Sequence, residues 1–253
     1  MEKYSLKCTA ATTVGSRKRN QDVFYVDGLI SSSDVTGEQR YSGEVQTEGK
    51  LHVFAVCDGI GMYQYSGPAA EAALRAVKEK HRAFAENYNP ESLRAWAEDT
   101  LLYARDAMLA HCLDQGREGS CTIVLLAIIN DDYVVVNSGD SPAFLYEGGA
   151  LTELSVCHNM ANLKLLLGQT PTEDEKCILL HHLGEKQLTY EENFGKLGEE
   201  GTFFLCSDGI TSAFDEKGLQ KGLKKRKEAH FFASAAGEAE HADNCTALTV
   251  SFF

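Results

Sequence analysis

Four aspartates stand at the ends of short apolar runs, and their type and placement suit hard-cation chemistry. Asp22 closes Arg17-Lys18-Arg19-Asn20-Gln21-Asp22, Asp58 follows Val53-Phe54-Ala55-Val56-Cys57, Asp208 follows Phe203-Phe204-Leu205-Cys206-Ser207, and Asp243 opens Asp243-Asn244-Cys245-Thr246. A carboxylate at the tip of a β-type run is held on a rigid element yet points out of it. Four such tips brought together would repel one another strongly unless cations stood between them. Hard oxygen ligands favour Mg²⁺ or Mn²⁺ over zinc or copper. A single Asp-Gly pair usually marks no more than a turn, so the reading rests on the set.

Other polar residues compete for attention. Cys57 and Cys206 flank two of the aspartates and could be read with nearby histidines as a zinc site. The eight cysteines are scattered singly without a CxxC pair, however, and these two lie in apolar runs, so buried reduced thiols are expected. His52 and the pair His181-His182 belong to no motif near the acidic tips, and no role is assigned to them. The basic run Lys221, Lys224, Lys225, Arg226 and Lys227 could dock a partner, but on a predicted helix it reads as a solvated face.

The elements that must position these side chains follow from periodicity and breakers. Strands are predicted at 4–14 and 22–26, an exposed loop at 31–50, and a strand at 51–57. Alanines and leucines recurring among charges predict two successive amphipathic helices, 68–88 and 90–113, with Pro68 suited to a first turn. A buried hairpin follows, 120–129 with 133–137 around Asn130-Asp131-Asp132, then strands at 143–146 and 150–154. Two short helical patterns flank the break at 168–171. Strands at 187–190 and 202–206, a helix at 217–237 and a terminal strand at 246–253 complete the chain. Roughly ten short strands with consecutive helices do not alternate as a parallel fold requires, so an antiparallel sandwich flanked by helices is expected.

Bulk properties bound the function. A length of 253 residues with 43% apolar content suffices for one large core, and no linker or repeat divides the chain, so 1–253 is expected to form a single domain. A formal net charge of −13 argues against nucleic acid as a partner. An anionic substrate must therefore be attracted locally, by metal or by a few arginines. Neither an apolar leader nor a run of 18 apolar residues is present, which predicts a cytoplasmic protein not inserted in a membrane.

Seven motifs in order give the chain a family likeness. They are Arg17-x-x-Asn20-Gln21-Asp22, Asp58-Gly59-Ile60-Gly61, Gly119-Ser120-Cys121-Thr122, Asn137-Ser138-Gly139-Asp140-Ser141, His158-Asn159, Leu205-Cys206-Ser207-Asp208-Gly209-Ile210-Thr211 and Asp243-Asn244-x-Thr246. Together they resemble the metal-dependent PP2C-type (PPM) protein serine/threonine phosphatases, and the compact bacterial branch in particular. The resemblance implies an α+β, four-layer α/β/β/α sandwich, with two central antiparallel sheets flanked by helix pairs. It also implies a centre of two Mn²⁺ or Mg²⁺ ions: Asp58 bridging, the Gly59 carbonyl on one ion, Asp208 and Asp243 completing the other, Asp22 acting through bound water, and Asp140 holding a third, weaker ion. A backbone carbonyl reaches a metal only where no side chain blocks it, which suits Gly59. Asp22 and Asp58 serve catalysis, and Arg17 is the expected phosphate clamp, ahead of Arg19, because its planar fork matches two phosphate oxygens. Phosphoserine and phosphothreonine proteins are the implied substrates, a Ser/Thr kinase the implied opposing partner, and a monomer the expected state.

Departures from the family pattern are local. Met62 stands where a second glycine is usual and Tyr63-Gln64-Tyr65 follows, making the rim bulkier and one residue longer. Gln21 replaces the commoner glutamate, Pro142 an arginine, and Ser212 an acid. Ile60 occupies the place of a histidine that could protonate the leaving alkoxide. Two rival readings follow: a catalytically weak phosphoprotein-binding relative, or a phosphatase of a small phosphorylated metabolite.

Overall fold

The computed structural model describes residues 4–47, 49–84 and 89–253. In chain order its strands and helices are β1 (Ser5–Thr13), β2 (Val23–Val26), β3 (Leu29–Ile30), β4 (Gln39–Gln46), β5 (Leu51–Cys57), α1 (Ser66–Arg82), α2 (Pro90–Asp114), β6 (Ile123–Ile129), β7 (Asp132–Ser138), β8 (Ala143–Glu147), β9 (Ala150–Glu153), α3 (Met160–Leu166), β10 (Glu191–Lys196), β11 (Gly201–Cys206), α4 (Asp208–Ala213), α5 (Glu216–Lys224), α6 (Ala229–Gly237) and β12 (Cys245–Phe252). One sheet runs β4-β1-β12-β11-β8-β9 and the other β10-β7-β6-β5-β2-β3, and every strand pair is antiparallel.

Three apolar clusters lie between the four layers, two of sheet and two of helix. Between the two sheets, Phe24, Phe54, Leu126, Phe203, Val250 and Phe252 interdigitate. Each fully buried phenylalanine contributes about 2–3 kcal/mol relative to exposure. Outside the second sheet, small residues on α1 (Ala69, Ala70, Ala73) let it approach closely, while Leu93, Leu101 and Met108 of α2 fill the rest. Outside the first sheet, Ile210, Leu219 and Phe232 of the three short helices α4 to α6 pack on Phe204 and Ala247. The expected α/β/β/α sandwich is therefore what forms. Its helix α2 starts where Asn89 accepts from the Ser92 N–H at 2.8 Å and the Ser92 hydroxyl takes the Asn89 N–H at 3.0 Å, with Pro90 at the first helical position.

Four expectations need correction, each for a physical reason. Residues 31–50 are not a loop throughout: β4 occupies 39–46 as an edge strand, pairing only with β1, and of its mostly polar sequence only Tyr41 and Val45 turn an apolar, half-buried face to the core. The strand predicted at 187–190 lies instead at β10, another polar edge strand, on β7. The helix predicted at 217–237 is two, α5 and α6, because the chain turns at Arg226 with φ +53° and the Lys227 N–H closes on the Gly222 carbonyl at 3.1 Å. Residues 208–213, which Asp-Gly marks as a turn, form α4. The end of the helix predicted to 88 falls on 85–88, outside the described residues.

Register then decides where the tips go. Thr13 of β1 faces Cys245 of β12, Cys206 of β11 faces Ala247, Leu205 faces Ala143 of β8, and Val23 of β2 faces Cys57 of β5. The strand ends that carry the aspartates lie together at one end of the sandwich.

Candidate active site

A cavity of about 520 Å³ opens at that end, and Arg17, Asp58, Gly59, Asp140, Asp208 and Asp243 all line it. Asp22 does not reach its wall. It lies beneath, fully buried, with Oδ2 accepting from the Ser207 hydroxyl at 2.7 Å and Oδ1 left without a partner. The four tips read from sequence and Asp140 are thus brought to one place, at two depths.

Electrostatics there is dominated by acids facing acids. Burial first, and the Asp208 charge after it, push the Asp22 carboxyl up to about 7. Asp58, within hydrogen-bonding reach of both Asp22 and Asp208, is driven well above the carboxylate range by burial and then by its acidic neighbours. Asp140 is likewise pushed up to about 7 by burial, with the Asp208 charge adding to it. Asp208 is raised by burial and by Asp243, with Arg17 acting in the opposite sense. Asp243 is the shallowest of the set, and its Oδ2 receives Arg17 Nη2 at 2.6 Å.

The backbone around these acids is tightly held. Asp58 donates its N–H to Thr122 Oγ1 at 3.1 Å, its carbonyl accepts from Thr122 N at 2.8 Å, and Ile60 N donates to the Ser120 carbonyl at 3.0 Å. Gly59 packs so closely that an added Cβ would stand 2.7 Å from Gln21. Asn244 ties two loops together: its Oδ1 accepts from Gln21 N at 2.8 Å, and its Nδ2 donates to the Val14 and Arg19 carbonyls at 3.0 and 2.9 Å. Asp140 is placed by Asn137, which donates to the Val156 carbonyl at 2.8 Å, and by His158 Nδ1, which accepts from Gly139 N at 3.1 Å. Thr122, Asn137, Asn244 and Ser207 were visible in sequence only as motif members. Ser207 and Asn244 carry a readable signal, a short hydrogen-bonding side chain next to an acid, which Thr122 and Asn137 lack.

The expectation for Cys57 and Cys206 is met: both are buried free thiols, pushed up by burial. His182 Nδ1 pairs with the Ser120 hydroxyl at 2.8 Å, behind the site, and His52 lies at the opposite end of β5. The basic run at 221–227 lies away from the acids, with Lys224, Arg226 and Lys227 facing a second cavity at the other end of β11 and β12.

A sequence profile of the protein phosphatase 2C family matches residues 39–240. The chain belongs to the protein phosphatase 2C family. The serine/threonine phosphatase stp of Listeria monocytogenes is 26% identical over 220 residues, covering 82% of this chain and 87% of the relative. Among solved structures, the fold is similar to PppA of Pseudomonas aeruginosa, a regulatory component of its T6SS, with TM-score 0.73, 22% identity and all of both chains covered. It is also similar to Stp1 of Staphylococcus aureus, with TM-score 0.78, 17% identity, and 96% and 94% of the two chains. The catalytic domain of PstP, crystallised with two manganese ions, aligns with TM-score 0.77 at 18% identity over 98% and 99%.

Within that family this chain's departures acquire a local explanation. Gln21 Nε2 donates to the Tyr63 carbonyl at 2.8 Å, a bond that an ionised glutamate cannot make. The amide thus pins the longer rim, on which Met62 stands 79% exposed.

Proposed function

We propose that the chain is a metal-dependent phosphoprotein phosphatase that hydrolyses phosphoserine and phosphothreonine monoesters with Mn²⁺ or Mg²⁺ bound. The observation that carries this reading is five aspartates gathered at one end of the sandwich, four lining one cavity and Asp22 beneath it, with burial pushing Asp22, Asp58, Asp140 and Asp208 upward and a guanidinium at the edge. The donor set fits divalent hard cations. It is all oxygen, it contains a buried carboxylate oxygen on Asp22 without a partner, and its charge calls for compensation. Among the described residues, no three His, Cys, Asp or Glu side chains form a group that could hold an ion by themselves. Ions of this class keep several waters and accept carbonyl ligands, so few side chains per ion suffice.

On this reading Asp58, which lies between Asp22 and Asp208, would hold the cations together with the Gly59 carbonyl, Asp208 and Asp243, while Asp22 would act from below through water and Asp140 would serve a third, weaker site. Bound cations would supply an acidified water and charge neutralisation at phosphorus. The chain's own contribution is orientation. Arg17 offers two parallel N–H groups to a phosphate, while Thr122 and Asn244 hold the backbone of the acid-bearing loops. Ile60 has no proton to give the leaving alkoxide, so its protonation falls to solvent.

The 1–253 chain would work as one domain and as a cytoplasmic monomer, opposing a Ser/Thr kinase that makes its substrates. No helix among the described residues is long and apolar enough to cross a membrane. The test is phosphate release from a phosphothreonine peptide, titrated with Mn²⁺ and repeated in EDTA. Turnover abolished by chelator is expected. A folded protein that binds the peptide without release, or that releases phosphate only from sugar or nucleotide phosphates, would replace this reading with one of its two rivals.

A further inference from the structure

The edge of the cavity beside Asp243 is basic, and it is built from three consecutive residues, Arg17, Lys18 and Arg19. All three are exposed. Only Arg17 has a carboxylate partner among the described residues, Asp243 at 2.6 Å, so Lys18 and Arg19 present unpaired charges at the cavity mouth. In a chain of net charge −13 these are local exceptions to the prevailing field.

The loop that carries them is fixed rather than loose. Ser16 donates both its N–H and its hydroxyl to the Ala242 carbonyl, at 3.0 and 2.7 Å, and Arg17 N donates to the Val14 carbonyl at 3.2 Å. Asn244 holds the carbonyls on either side, at Val14 and Arg19. Gly15, with φ +58°, lets the loop lie against 242–243, since a Cβ there would stand 2.1 Å from the Asp243 carbonyl oxygen. Two cations preset beside a phosphate site cost little ordering on binding.

We propose that Lys18 and Arg19 form a docking wall that selects substrates carrying a second anionic group beside the phosphoresidue. This inference rests on the phosphatase reading and names its substrate class: acidic phosphopeptides. The second anion is a flanking carboxylate or a neighbouring phosphate, either of which meets an ammonium and a guanidinium. Lys18 and Arg19 are specificity residues here and touch the substrate outside its scissile bond.

The experiment compares kcat/KM with Mn²⁺ for four phosphothreonine peptides of one length, with neutral, glutamate, lysine or second-phosphothreonine flanks. For the native enzyme we expect about a tenfold gain for the glutamate peptide over the neutral one and a similar loss for the lysine peptide. Raising NaCl from about 0.05 to about 0.5 M should flatten the series. The variant Lys18→Glu/Arg19→Glu should invert it without losing the neutral peptide, and its thermal midpoint shows whether it folds. The salt arm on native enzyme decides the matter if it does not. A preference for the second phosphate alone would assign the wall to phosphate rather than carboxylate. Equal kcat/KM for the neutral, glutamate, lysine and second-phosphothreonine peptides in native enzyme would overturn the inference while leaving the phosphatase reading intact. No release from any peptide would overturn both.

Discussion

The two ends of β2 and β5 carry the same residue type in opposite circumstances. At one end, Asp22 precedes β2 and Asp58 follows β5, and the carboxyls face more carboxyls. At the other end, Asp27 follows β2 and receives His52 Nδ1 of β5 at 3.0 Å, while His52 Nε2 donates to the Gln46 carbonyl at 2.9 Å. His81 of α1 completes that cluster: its Nε2 lies 2.8 Å from the Leu51 carbonyl, and its Nδ1 meets the Tyr25 hydroxyl at 2.6 Å. One end is a polar network in which the acid faces two imidazoles, His52 hydrogen-bonded to Asp27 Oδ2 and His81 Nε2 3.6 Å from Oδ1, which has no hydrogen bond of its own. The other gathers like charges that the chain does not balance, and a protein tolerates that arrangement where a ligand supplies the balance. Burial of acids therefore separates structure from function only when the partners are counted.

The sharpest way to break this comparison is to remove an acid at the crowded end. Asp58→Asn or Asp208→Asn should lower Mn²⁺-dependent phosphate release by about three orders of magnitude or more, measured as kcat on a phosphothreonine peptide. Arg17→Ala comes next, with KM raised about tenfold and kcat changed less; an unchanged KM would exclude the clamp. His52→Ala at the histidine-bearing end should cost about 1–3 kcal/mol of unfolding free energy in a urea melt, because Asp27 is left without its hydrogen-bonded partner, and should leave kcat/KM alone. The same crowded acids set a pH trend in EDTA. Asp22 and Asp140 hold protons up to about 7 in the folded chain, against an ordinary carboxylate value near 3.8. The folded state therefore binds more protons between those limits, and the thermal midpoint of metal-free protein should fall as pH rises through that window.

Much of the crowded end was legible in the sequence, and little of the histidine-bearing one. Asp58 and Asp208 follow long apolar runs that can only be buried strands, so their tips were forced to a strand end. The family motifs then supplied the convergence that periodicity cannot. Asp27, His52 and His81 sit in no motif and come together only through the pairing of β2 with β5 and the packing of α1. The strands β4 and β10 escaped notice because these edge strands are mostly polar, with only Tyr41 and Val45 of β4 turned to the core, and α4 because Asp-Gly signals a turn locally while tertiary packing of Ile210 decides otherwise. Gln21 was readable as a lost charge, but its bond to the Tyr63 carbonyl needed the rim in place.

The central claim, that the crowded acids are a divalent-cation site, is tested most directly by the thermal midpoint of native protein and of Asp58→Asn at pH 7.5, each in EDTA and in excess Mn²⁺. The account predicts that Mn²⁺ raises the native midpoint by several degrees. Asp58→Asn should melt higher than native in EDTA, because its amide is buried without first having to take up a proton, and should respond little to the metal. A native protein indifferent to Mn²⁺, or a variant stabilised by it as much as native, would contradict the account.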